Sequence, residues 1–104
     1  MSQSAETIAA PPKTKSEQKT KHPTMYAVVV HNDPFTPRQF VVEILRRFFQ
    51  KDETEATAIM LRAHQGGHAV VNVYTLEMAE TKAAQANKYS KDEGKLLLFS
   101  VEEA

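Results

Sequence analysis

Tyr26 to His31 reads YAVVVH, a β-branched run too short for a helix, which predicts a mostly buried strand. The spacing of apolar residues then turns helical. Phe40, Val41, Ile44, Leu45 and Phe48 recur at the interval of one helix face, so a helix is expected to run to about Phe49. Thr36 is its expected N-cap, Pro37 suits the first helical position, and Gln39 completes a capping-box pattern. Arg46 and Arg47 lie near its end, where the helix dipole favours cations. Asp52 is the expected cap of a second helix, with Glu55 at the box position. Ala56, Ile59, Met60 and Ala63 form its apolar stripe, and Gly66-Gly67 ends it.

His68 to Tyr74 predicts a second strand with Ala69, Val71 and Val73 on one face. Thr75 is expected to cap a third helix, about Leu76 to Tyr89 or a little beyond, rich in Ala and Glu. Gly94 closes that region, and Leu96 to Val101 predicts a third strand. The order β-α-α-β-α-β predicts an α+β sandwich: a three-stranded antiparallel sheet packed with three helices.

The N-terminal part follows neither period. Residues 1–24 hold four lysines against two glutamates, no aromatic residue, and Ile8 as the one large aliphatic side chain besides Met1. Such a segment buries too little surface to offset its ordering entropy, so a disordered arm is expected before a core domain at residues 25–104. The whole chain, 104 residues, suffices for one modest core. Its 13 basic and 13 acidic residues lack the basic footprint of a nucleic-acid binder. Without cysteine it has neither a disulfide framework nor thiolate chemistry. No apolar run reaches the length of a membrane span, and no apolar signal segment opens the chain. A cytoplasmic, soluble monomer is expected.

Three residues carry candidate chemistry. Asn32 and Asp33 leave the first strand, and His64 ends the second helix. If both helices pack on the sheet, the three converge at one end. Together they offer a carboxylate, an amide oxygen and a ring nitrogen, three acceptors for the three donors of an ammonium group. They would also serve as a general acid-base set, or merely as an Asx-turn and a helix-end histidine. A metal site is not expected, because Gly66-Gly67 separates His64 from His68 and no further ligand stands at a usual spacing. Phosphate-binding and dinucleotide glycine patterns are missing, as is a nucleophile elbow, so no cofactor is expected. The charged face of the third helix, with Glu77, Glu80 and Lys82, is either solvated or a docking surface.

The segments VVVHNDPFTPRQFVVEILRRFF, EATAIMLRAHQGG and VYTLEMAETKAAQANKYSKDEGKLLLFSVEEA closely resemble ClpS, the bacterial adaptor of the N-end rule, over about residues 25–104. The resemblance implies an adaptor, not an enzyme. It would bind proteins that begin with Leu, Phe, Tyr or Trp (N-degrons) and hand them to the ClpA unfoldase and the ClpP protease. It further implies that Asn32, Asp33 and His64 bind the substrate's α-amino group. Arg38, Val41, Met60, Leu61, Ala63 and Leu97 would surround the first side chain. Glu77, Thr81 and Lys82 would dock on the N-terminal domain of ClpA, and residues 1–24 would be the arm engaged during delivery. Three positions depart from the commoner pattern. Arg38 stands where the family often has methionine, Pro34 replaces a second acid, and Ala63 replaces the usual valine, which implies a roomier pocket that favours aromatic first residues over Leu. Two other functions remain open: a partner-docking domain resembling the carboxy-terminal domain of the ribosomal stalk protein, with no peptide pocket, and a small enzyme using Asp33 and His64.

Overall fold

The computed structural model describes residues 24–104, so the predicted arm lies outside the described residues but for its last position. The elements are β1 (Tyr26–His31), α1 (Arg38–Phe49), α2 (Glu53–Gly66), β2 (His68–Tyr74), α3 (Leu76–Asp92) and β3 (Leu98–Glu103). The sheet order is β2-β1-β3, and both pairings are antiparallel. The expected α+β architecture is the observed one.

β1 is central because its VVV run suits burial on both faces. Val28 and Val30 join the core formed with the helices, while Ala27 and Val29 are buried outside that cluster, beside the flanking strands. In α1, Phe40, Val41, Ile44 and Leu45 are buried as their spacing predicts, and Phe49 rather than Phe48 completes the stripe. α3 presents Ala79, Ala83, Ala86 and Ser90 inward, a stripe of small residues. Its Asn87 donates to the Phe99 carbonyl at 3.0 Å and accepts the Phe99 N–H at 2.8 Å. That amide imitates a neighbouring strand for β3, an edge strand.

Helix ends follow local chemistry with one exception. Asp52 accepts the Glu55 N–H at 2.7 Å while Glu55 accepts the Asp52 N–H at 3.3 Å, the reciprocal box expected for α2. Thr75 accepts the Met78 N–H at the start of α3. The exception is α1: Pro37 is its cap, in an extended conformation, and no side chain caps it. Thr36 is buried and has spent its hydroxyl elsewhere, on Asp33. The box with Gln39 therefore does not form.

Two strand expectations are corrected. Val73 is 42 % exposed, not on the buried face with Ala69 and Val71. Val28 pairs with Asn72 and Val29 with Val70, which leaves Val71 as an extra residue. This bulge reverses the alternation beyond it and turns Tyr74 toward the core. β3 begins at Leu98, not Leu96, because Leu98 is the first residue in register with β1, opposite His31.

Candidate functional site

The site forms where β1 ends. The Asn32 N–H donates to the Gly67 carbonyl at 2.9 Å, tying the strand exit to the end of α2. Gly67 itself adopts φ 93°, a left-handed conformation that a side chain would oppose. That turn brings His64, one helical turn before it, alongside the loop after Asn32. Asp33 is fixed independently. Its Oδ2 accepts the Thr36 hydroxyl at 2.7 Å, and its carbonyl accepts the Thr36 N–H at 3.1 Å. The carboxylate is held in place with lone pairs to spare.

Asn32, Asp33 and His64 line one cavity of about 130 Å³. Val41 from α1 and Met60 from α2 supply its apolar wall, and Arg38, Pro34 and Thr36 complete it. A closed apolar cavity of about 150 Å³ holds a benzene molecule, so this volume suits one large side chain. Met60 and His64 stand four apart on α2 and therefore share a face. Across the mouth, Arg38 Nη2 donates to His64 Nε2 at 2.9 Å. Guanidinium only donates, so the bond fixes Nε2 as an acceptor.

Three predicted pocket residues do not line the cavity. Leu61 is 37 % exposed, because one step along a helix turns a side chain about 100° from Met60. Ala63 and Leu97, each 2 % exposed, belong to the core cluster that also contains Val41 and Met60. The expected widening at Ala63 is thus not a feature of the cavity wall. Thr36 and Gly67 were missed as site residues. The signal for Thr36 is a hydroxyl three residues after Asp33, a spacing that also reads as a helix cap.

On α3, Glu77 and Thr81 are exposed, one turn apart on one face. Lys82 is half-buried and has a structural task. Its Nζ donates to the Phe48 carbonyl at 3.2 Å and to Gln50 Oε1 at 2.9 Å, closing the end of α1 where Gln50 takes φ 52°. Among the described residues, no group of three His, Cys, Asp or Glu is placed to hold a metal, and no helix is long and apolar enough to cross a membrane.

Fixed acceptors beside an apolar cavity, on a small α+β scaffold, define a binding module. The family model described as "ATP-dependent Clp protease adaptor protein ClpS" matches residues 21–100. An adapter protein of that name from Vibrio atlanticus (strain LGP32) is 48 % identical over 89 residues, covering 86 % of this chain and 84 % of the relative. Another from Shewanella piezotolerans is 47 % identical over 88 residues, covering 85 % of this chain and 86 % of the relative. Among solved structures, Agrobacterium tumefaciens ClpS2 bound to L-phenylalaninamide is similar, with a TM-score of 0.78 and 38 % identity, over 80 % of this chain and all of that one. The chain belongs to the ClpS family of adaptors of the ATP-dependent Clp protease, a family of adaptors rather than enzymes.

Proposed function

We propose that this chain selects proteins by their first residue and delivers them to the Clp protease. Asn32, Asp33 and His64 take the free α-ammonium, and the cavity walled by Val41 and Met60 takes a large apolar side chain. One observation carries this reading: both kinds of surface line a single cavity. Phenylalaninamide, the ligand of the Agrobacterium relative, joins an amine and a benzyl group on one carbon, the pairing this cavity suits.

The two halves act together. An ammonium is costly to desolvate unless paired. Each charge-assisted hydrogen bond contributes about 1.5–3 kcal/mol, and burying a Leu- or Phe-sized side chain adds roughly 1.5–3 kcal/mol. Three such bonds and one side chain together contribute about 6–12 kcal/mol, from which the cost of association is subtracted. Neither half supplies the total alone, so an internal Leu, whose nitrogen is an amide, escapes.

Delivery would use the exposed face of α3, with Glu77 and Thr81 meeting the N-terminal domain of ClpA, and the monomer would act in the cytoplasm. Residues 1–24 would serve as the arm the unfoldase engages. Deleting about residues 1–20 should leave peptide affinity intact and abolish delivery; accelerated degradation by the truncated protein would show the arm to be inert. A domain that only docks, like the ribosomal stalk domain, has no use for the cavity, and that alternative is not favoured.

Fluorescence titration of a Phe-initiated peptide against its N-acetylated twin tests the proposal. The free amine should bind at least about tenfold tighter, the value of one charge-assisted bond. Equal affinities would remove the amine cradle.

A further inference from the structure

A second, larger cleft opens from the same rim. It has a volume of about 670 Å³, runs between α1 and α2, and shares Arg38 and Met60 with the smaller cavity. Its lining is basic: Arg38, Arg46, Arg47 and Lys51 outnumber Glu43 and Glu53. Both acids are already engaged. Glu43 Oε2 accepts from Arg47 at 3.5 Å and from the Tyr89 hydroxyl at 3.1 Å, and Glu53 lies 3.9 Å from Arg46. Partial burial, and then Glu43, hold the Tyr89 phenol above its ordinary pKa, so it stays a donor.

Arg38, Val42 and Arg46 recur every fourth residue along one face of α1. From Arg38 to Arg46 the helix rises about 12 Å, the reach of about four extended residues. We propose that this cleft receives residues two to five of the bound chain and favours acidic side chains there. The proposal rests on the reading of the smaller cavity above and adds to it the class of sequence that follows the first residue.

The bond between Arg38 and His64 gives the preference a mechanism. An ammonium that takes His64 Nε2 must displace the guanidinium now 2.9 Å from it. A carboxylate at position two or three offers Arg38 a bidentate partner in exchange. A basic side chain there would leave the displaced guanidinium facing a like charge. The chain's own residues 1–24, with lysines in excess, do not complement this cleft.

The test uses the full chain and three Phe-initiated peptides that differ only at positions two to four, carrying Glu, Gln or Lys. At about 0.01 M salt, where screening is weak, the Glu peptide should bind about fivefold tighter than the Gln peptide, and the Lys peptide weaker by a similar factor. The ratio of Glu to Lys affinities should fall toward one at about 1 M salt. It should also fall in the double variant Arg46→Gln, Lys51→Gln, where Arg38 alone keeps the part of the preference read at positions two and three. Equal binding of all three peptides at low salt overturns the proposal while leaving the first-residue reading intact. A preference undiminished in the double variant also overturns it, because Arg46 and Lys51 then take no part in reading the charge. If the Gln peptide binds no better than its acetylated form, the cavity reading fails and this inference falls with it.

Discussion

Asn87 and Asn32 carry the same amide, and the fold uses them in opposite ways. Asn87 spends both its donor and its acceptor on the backbone of Phe99, closing the edge of β3. Nearby, Ser90 donates to the Leu97 carbonyl at 2.8 Å. At that end of the molecule, polar side chains complete the scaffold. At the exit of β1 it is the backbone of Asn32 that is anchored, by Gly67, and the residue lines the cavity. Asp33 is likewise tied by Thr36 at one oxygen only. A polar group consumed inside the fold contributes stability; one positioned with unused acceptors is available for a ligand.

The contrast can be broken from either side. The largest effect belongs to Asn87→Ala, which strands the Phe99 N–H and carbonyl and should cost about 1–3 kcal/mol of stability, seen as a lower Tm, with little change in peptide affinity for the folded fraction. Next is His64→Ala. His64 is exposed, so Tm should barely move, while affinity for a Phe-initiated peptide falls by about 1.5 kcal/mol or more, at least tenfold. Thr36→Val keeps the buried shape but frees Asp33, and should weaken peptide binding by about 1 kcal/mol, measured by calorimetry. The smallest effect is at Lys82: Lys82→Met removes the closure of α1 and should lower stability by about 0.5–1 kcal/mol with peptide affinity unchanged. A loss of affinity in Asn87→Ala, or a large loss of stability in His64→Ala, would erase the distinction between the two regions.

What the sequence made legible was local. β1, the capping box of α2 and the glycine stop rest on neighbours within four residues, and the structure has them as expected. Thr36 is ambiguous in the sequence because a hydroxyl before Pro37 fits a helix cap and a tie to Asp33 equally well; tertiary geometry decides. The turn at Val73 came from a bulge, which depends on how two distant segments align. Asn32, Asp33, His64, Val41 and Met60 do meet in one cavity. Leu61, assigned by its place in a motif, points away because helical phase, not motif membership, sets direction. The basic cleft is not legible in the sequence for a related reason: Arg46 and Arg47 make sense as cations at a helix end, and only the packing of α2 shows that they line a groove together with Lys51.

The central claim is that the ammonium and the side chain are read as one unit, with Asp33 on the amine. A thermodynamic cycle tests it most directly: phenylalaninamide and its analogue lacking the amine, each titrated by calorimetry against the native chain and Asp33→Ala. The account predicts that losing the amine weakens binding to the native chain at least about tenfold and weakens binding to Asp33→Ala far less. The same loss in both proteins would contradict it.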